Sequence, residues 1–396
     1  MSAESTRGLP PVTEGGEYLV EPEELVAGGD ALARIDGFPI FVGGIYPGDR
    51  AKILIVEVKK GYARGSVLEL VQGGPHRRQV PCPAAETCGG CDWTSLRLDL
   101  QLKAKTKILE QSLRRVGKFD PRDLPPIAVH PSPLNYRLRS RLQVDHHQGS
   151  IGFFESGTHR VVPLPDECEV VGPGVITHLA ALKARAGEAP FIQTFEDGRQ
   201  FASGSNLDAF DRLSIRVRDF TYQLSLDSFF QVNRHLLGAL IDGVMESAGR
   251  TKSKRHGWDL YAGVGFFSLP LSGIFDSVTA VEAAEESFPF GHQNASGYPN
   301  ISFLRERVER YLQIASATVD FIMIDPPRAG LDASIPEALS RTEAEIICYL
   351  SCDPVTFARD ASRLAHRGWK LTTLHLLDLF PNTHHVETLS SFERAR

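Results

Sequence analysis

One cysteine is delivered to the mouth of a turn, and it is the residue best placed for chemistry. Residues Ile346-Ile347-Cys348-Tyr349-Leu350 read as a short apolar strand, and Ser351-Cys352-Asp353 follows directly. A helix is expected from Pro354 or Val355, because Asp353 can cap it and proline suits a first turn. The Cys352 thiol would then face backbone N–H groups and the positive end of a helix dipole, both of which favour thiolate. The competing reading is a small buried hydrophobe, a frequent fate of a single cysteine in a large chain.

A second group of thiols has different spacing. Cys82-x5-Cys88-Gly89-Gly90-Cys91 is followed far downstream by Cys168. Three close thiolates and one distant one can enclose a four-iron cluster. Four cysteines also make a closed zinc site, but zinc ribbons usually pair two C-x2-C knuckles and only one is present. The 3+1 spacing favours iron–sulfur. Gly89-Gly90 suits a tight loop better than a core, and in a reducing compartment such clustering points to metal rather than disulfide.

Cys352 needs a scaffold, and the residues before it supply one. Gly257-Trp258-Asp259-Leu260-Tyr261-Ala262-Gly263-Val264-Gly265 reads as a strand entering a glycine turn, and Val278 to Glu282 as a second strand ending in an acid. Strand, glycine turn, helix, strand and acid make the mononucleotide-binding half of a doubly wound sheet. Gly263 and Gly265 let the backbone approach a ligand, and Glu282 would accept from ribose hydroxyls. The third glycine of the dinucleotide fingerprint is missing, so on these residues alone an adenosine-type cofactor and NAD stand level. Val319 to Ile324 is a third strand whose tip, Asp325-Pro326-Pro327-Arg328, has its direction set by two prolines. Ligands in such sheets bind at strand ends of this kind. Phe229-Phe230-Gln231-Val232-Asn233 leads into a helix marked by Leu236, Leu237, Leu240, Ile241 and Val244.

The first seventy residues have a different texture. Gly28-Gly29, Asp36-Gly37, Pro47-Gly48 and Lys60-Gly61 punctuate short β-rich runs, spacing that suits a small barrel of oligonucleotide-binding type. Lys52, Lys59, Lys60, Tyr62 and Arg64 interleave cations with an aromatic, as a single-strand RNA surface would. The runs GGDALARIDGFPIFVGGIYPGD and KKGYARGSVLEL resemble the TRAM module of RNA-modifying enzymes. Further on, Leu96 to Lys118 has helical period and Ala180 to Glu188 reads as a short helix. Between them, Tyr136 to Val144 alternates with Arg137, Arg139 and Arg141 on one face, read as a phosphate-contacting surface.

Composition sets the outer bounds. The chain has 396 residues, 42% hydrophobic and 23% charged, with a net charge of -6, so any nucleic-acid site must be a local basic patch. No apolar run has the length of a membrane span, and the polar Met1–Gly16 stretch lacks a signal-peptide core. A cytoplasmic location, no membrane partner and a monomer are the expectations.

Together these residues resemble the RNA 5-methyluridine methyltransferase family, the S-adenosylmethionine-dependent enzymes of the TrmA and RlmD type. The resemblance covers nearly the whole chain and is carried by the TRAM-like runs, the cysteine spacing, SFFQVN, D-x-Y-A-G-x-G, DPPRAG, SCDPVTFARD and D-x-F-P-x-T-x-H-x-E. It implies Cys352 as nucleophile and Glu387 as general base. Gln231, Tyr261, Glu282 and Asp325 match the family's cofactor positions, joined by Gly263 and Gly265 of the turn. Cys82, Cys88, Cys91 and Cys168 match its [4Fe-4S] ligands. The implied fold is multidomain α/β: a TRAM barrel over 16–72, a central β-rich iron–sulfur domain over 73–218, and a Rossmann-like methyltransferase domain over 219–396. The implied substrate is RNA, with 23S rRNA favoured over a tRNA T-loop uridine. Two positions depart from the family pattern: Phe266 stands where a polar residue is usual, and Leu304-Arg305-Glu306-Arg307 where Asp or Asn is usual near the adenine. The rivals are an amino-methyltransferase, against which Asp325-Pro326-Pro327-Arg328 and Cys352 both count, and a non-catalytic RNA-binding iron–sulfur protein.

Overall fold

A computed structural model describes residues 10–185, 190–195, 200–202, 213–225 and 227–395. The chain divides into two compact units. The first is Met1–Pro81, Cys91–Ile108 and Asn382–His384; the second is Cys82–Gly90, Leu109–Pro381 and His385–Arg396.

The first unit is built on a six-stranded sheet ordered Glu17–Val20, Arg50–Val58, Ala63–Gln72, Phe38–Val42, Ala31–Ile35, Glu24–Leu25. Small and β-branched residues (Ala31, Ala33, Ile40, Val42, Ala51, Ile53) are wholly buried on its inner face. Three register shifts between Arg50–Val58 and Ala63–Gln72, with extra residues at Val56, Leu68 and Val71, let the pair curl, since each extra residue bends its strand and adds twist. Gly65 permits the close approach: a Cβ there would stand 2.8 Å from Ile53 Cδ1. The expected β module is present, but among the described residues its hydrogen-bonded ladder keeps two ends instead of closing into a ring.

The second unit holds an eight-stranded sheet in the order Ile301–Arg305, Ser277–Glu282, His256–Leu260, Phe321–Ile324, Ile346–Ser351, Glu387–Arg394, Trp369–Leu377, Ile127–His130. All neighbours are parallel except the two pairs made by Glu387–Arg394. Phe321–Ile324 and Ile346–Ser351 are buried at every position, as strands covered on both faces must be. Alternation assigns the two faces. Cys348 and Leu350 pack in one core with Leu237, Leu240 and Val244 of the helix Leu237–Gly249. Tyr349, pointing the other way, meets Phe357 of the helix Pro354–Ala365 edge-on at 5.7 Å. Strand order reverses beside His256–Leu260, which is the switch point of the sheet.

One feature of this unit is absent from the expectations. Ile127–His130 runs parallel to Trp369–Leu377 and extends the large sheet from the segment assigned to the central region. A separate five-stranded antiparallel sheet, Val161–Pro163, Ser150–Phe154, Arg139–Asp145, Phe191–Phe195, Gln200–Ala202, follows in chain order. The short helix is seen at Leu179–Arg185; the rest of its expected span, 186–188, lies outside the described residues.

Candidate active site

The carboxyl ends of the parallel strands gather the acids and the thiol. Leu260 runs into Tyr261, Val281 into Glu282, Ile324 into Asp325 and Ser351 into Cys352. Glu387 reaches the same edge from the opposite direction, because its strand is antiparallel and begins there. Ser351 pairs with Thr388, so continuing the register one step sets Cys352 opposite Glu387.

The local structure around Cys352 is as expected. Asp353 caps the helix Pro354–Ala365 by accepting from the N–H groups of Val355 at 3.0 Å and Thr356 at 2.8 Å. Its ionisation is not. The thiol is pushed up to about 12, first by burial and then by the charges of Glu387 and Asp325, with Asp353 adding to them; Arg328 pulls the other way. Desolvation and the facing carboxylates outweigh the helix end, so the resting nucleophile is a thiol.

The same enclosure acts on the acids. Glu387 is 4% exposed, and burial, with the Asp325 charge second, holds its carboxyl well above the usual range. Asp325 keeps some surface as a residue, but its carboxyl is enclosed and raised to about 8 by burial, then by Asp259; Gln231 opposes this. The Gln231 side-chain amide donates to Asp325 Oδ2 at 3.1 Å.

Glu282 closes the glycine turn. Its Oε2 accepts from Gly263 N at 2.8 Å and its Oε1 from the Ala284 N–H. Gly263 and Gly265 have φ of +57° and +86°, the left-handed region where an L side chain is strained. Tyr261 is also left-handed at φ +64°, a strained position for an aromatic residue. Its phenol is raised by burial and by Glu309, which it meets through a side-chain hydrogen bond.

Gln231 is held by its neighbours on both sides. Asn233, wholly buried, donates to Leu379 O at 2.9 Å and Ser132 Oγ at 2.9 Å, while its Oδ1 accepts from His235 N and Leu236 N. Ser228 Oγ donates to Glu286 O at 2.9 Å, and Arg139 donates to Ser228 O at 2.6 Å. Phe230 is buried between these anchors, whereas Phe229 is 58% exposed.

Two of these residues carried no role in the sequence reading. Phe229 is an aromatic face turned outward beside Gln231. Asp259 is wholly buried and accepts from Ser268 Oγ, while its Oδ1 has no hydrogen-bond partner; burial raises it to about 7, against the Ser268 bond. An acid inside an apolar strand was the available signal. Phe266 is buried against Tyr222 and Phe230, so it fills the core behind the turn instead of facing a ligand. Arg305 and Arg307 are exposed and pair with Glu285 and Glu309.

The basic surfaces are less bare than their spacing implied. Lys52 pairs with Glu17, Lys59 with Glu57 and Arg64 with Asp30; Tyr62 stands edge-on to Phe41 at 5.6 Å, and Lys60 is exposed. Arg137 donates to Gly90 O at 2.9 Å and covers the Phe153 ring, Arg139 is committed to Ser228 O, and Arg141 lies over Phe191 at 3.4 Å. The Arg137 and Arg139 guanidinium groups thus brace the fold, while Arg141 stays exposed.

In the second unit, Cys82, Cys88 and Cys168 are near enough to feel one another. Burial raises the Cys82 and Cys88 thiols, and the Cys168 charge adds to both. Gly89 is needed, because a Cβ there would stand 2.8 Å from Phe154 O, and Gly90 N donates to Cys88 Sγ at 3.4 Å. Cys91 belongs to the first unit. The thiol donors suit an iron–sulfur group in kind, but among the described residues no group of three or more His, Cys, Asp or Glu is arranged to hold a metal ion.

Comparison with known proteins bears on the family and the fold. Residues 205–394 match the model of the tRNA (Uracil-5-)-methyltransferase family, and residues 11–68 match the TRAM domain. The chain is 30% identical to an uncharacterized RNA methyltransferase of Gloeobacter violaceus, over 96% of this chain and 97% of that protein. It is also 30% identical to one from Bdellovibrio bacteriovorus, over 98% of each. The crystal structure of Pyrococcus abyssi tRNA (uracil-54, C5)-methyltransferase, in complex with S-adenosyl-L-homocysteine, has the same fold: TM-score 0.71 at 24% identity, covering 94% of this chain and 99% of that one.

Proposed function

The chain belongs to the RNA (uracil-5-)-methyltransferase family, S-adenosylmethionine-dependent enzymes, and from that premise we propose that it methylates carbon 5 of one uridine through a covalent cysteine–uracil adduct. The observation that carries the proposal is the strand register that sets Cys352 opposite Glu387 at the ligand-binding edge of the sheet. Carbon 5 of uracil is too weak a nucleophile to take a methyl group unaided. Cys352 sulfur, once its proton has passed to solvent, bonds to carbon 6, and the displaced electron pair passes to the enolate spanning carbon 5 and the carbonyl oxygen. S-adenosylmethionine, when bound, supplies the electrophilic methyl, which carbon 5 takes as the carbon–sulfonium bond breaks. Glu387, after giving up to solvent the proton that burial keeps on it in the resting state, then accepts the carbon-5 proton, and the returning electrons expel Cys352 as thiolate.

In this reading Glu282 takes the ribose, the Gly263–Gly265 turn admits the cofactor's backbone contacts, and Tyr261, Gln231 and Asp325 complete the cofactor wall. Phe229 offers a face on which an unstacked base can rest. Cys82, Cys88, Cys91 and Cys168 would hold a [4Fe-4S] group, a structural clasp outside the reaction.

The TRAM match and the cysteine spacing support 23S rRNA as substrate; the uracil-54 tRNA methyltransferase of the same fold supports a tRNA uridine as the second reading. The test is incubation with labelled S-adenosylmethionine and unmodified rRNA or tRNA, digestion and mass spectrometry, with Cys352→Ala alongside. Methyl on uracil carbon 5 of rRNA, lost in the variant, is expected. Methyl in tRNA alone changes the substrate and keeps the chemistry. No transfer to either RNA overturns the proposal.

A further inference from the structure

Asp360 lies on the helix that follows the nucleophile, wholly buried, and its bonds run to two other segments. Its Oδ2 accepts from Leu331 N at 2.7 Å and from the Tyr349 hydroxyl at 3.1 Å. Arg359 grips it through Nε at 2.9 Å and a terminal nitrogen at 3.1 Å, and Arg363 reaches it at 3.3 Å. Leu331 closes the turn that starts at Asp325; Tyr349 belongs to the strand that ends beside Cys352.

Other bonds reinforce the same join. Arg359 donates to Ala329 O at 2.8 Å, and Thr356 Oγ1 donates to Arg328 O at 3.2 Å. Gly330, at φ +75°, leaves no room for a side chain, since a Cβ would stand 2.3 Å from Asp360 Oδ2. The turn 326–331 is thus fastened to the helix 354–365 from Thr356 to Arg363. One end of that turn carries Asp325, and its middle carries Arg328, the cation that favours ionisation of Cys352.

We infer that Asp360 is a positioning residue that locks the cofactor acid Asp325 and the nucleophile Cys352 into one rigid piece through the 326–331 turn. The inference rests on the reaction proposed above. A buried carboxylate meeting two cations and two neutral donors is over-determined for mere packing, and it stands where a small shift would misplace both reactants. Loosening it should disturb two properties that are otherwise separate: cofactor affinity at Asp325, and reactivity of Cys352, whose facing charges are Glu387, Asp325, Asp353 and Arg328.

The experiment uses the full chain with Asp360→Asn and, as the milder change, Thr356→Val. Three readouts are taken below the melting transition: S-adenosylmethionine binding by equilibrium dialysis, the pH profile of iodoacetamide alkylation at Cys352, and methyl transfer. Asp360→Asn is expected to weaken binding and slow alkylation together, with kcat falling on the order of tenfold or more. Thr356→Val should shift all three in the same direction by a smaller factor. A folded Asp360→Asn protein with wild-type binding and wild-type alkylation overturns the inference, as does a loss that follows only the unfolded fraction measured by circular dichroism. Failure of the wild-type chain itself to transfer methyl strikes the reaction instead, so the two failures are told apart.

Discussion

The Gln231 side chain donates to Asp325 Oδ2 at 3.1 Å, joining the lead-in of one helix to the tip of a parallel strand. That bond favours ionisation of an acid which burial and Asp259 otherwise keep protonated near neutral pH. Gln231→Leu should therefore raise Asp325 further and weaken S-adenosylmethionine binding. A loss of about 0.5–1.5 kcal/mol is expected for a bond to a largely neutral carboxyl, roughly twofold to tenfold in Kd by calorimetry.

Because Asp325 titrates at about 8, cofactor binding should depend on pH in the same range. Deprotonation creates a negative charge where a sulfonium cation is expected. Affinity should rise as pH is taken from 7 to 9, and proton release on binding should be measurable in buffers of different ionisation enthalpy. Asp259, raised to about 7, is coupled to Asp325 through its charge and broadens the transition.

Glu387→Gln should separate the early steps from the last. Addition and methylation proceed, the proton stays on carbon 5, and the RNA remains bonded to Cys352 as a band stable in denaturing gels; Cys352→Ala gives no such band. The same variant should be more stable at neutral pH. The folded carboxyl is held well above its unfolded range, so the native state retains a proton the unfolded state releases. Stability therefore declines as pH rises above the unfolded carboxylate value near 4.5, and the substitution removes that decline. Melting curves at pH 4 and pH 7 give the comparison.

Iodoacetamide should alkylate Cys352 slowly at pH 7 and progressively faster up to pH 10 without levelling, as a thiol pushed to about 12 requires. Arg328→Ala removes the cation that opposes this and should slow alkylation at every pH, by a factor of a few for an exposed charge.

Much of this site could be read before folding was considered. The apolar run into Cys352, the Asp353 cap and the glycine turn before Glu282 are local, and local preference is what the chain writes most directly. The ionisation of Cys352 runs against the local expectation because burial sets it first and Glu387 and Asp325 second, acids that only the antiparallel insertion of Glu387–Arg394 and the neighbouring strand bring beside it. The arginines at 137, 139 and 141 illustrate the same limit. Their alternation was visible, but their partners at Gly90, Ser228 and Phe191 come from distant segments. Ile127–His130 is too short to announce which sheet it joins.

The first unit is not finished by its own end of the chain. Asn382 is wholly buried there: its backbone N–H donates to Gln101 Oε1 at 2.8 Å, its carbonyl accepts from Asp92 N and Trp93 N, and its Oδ1 accepts from Gln101 and Arg78. As the ribosome emits the polypeptide from the N-terminus, Arg78, Asp92, Trp93 and Gln101 are made long before Asn382, so these bonds form only after residue 382 has emerged. The nascent β module is then expected to be protease-sensitive on stalled ribosomes lacking residues 382–396, and protected once they emerge. A β module that completes its bonding only after residue 382 is made would seldom be finished before the methyltransferase half of the chain has been synthesised.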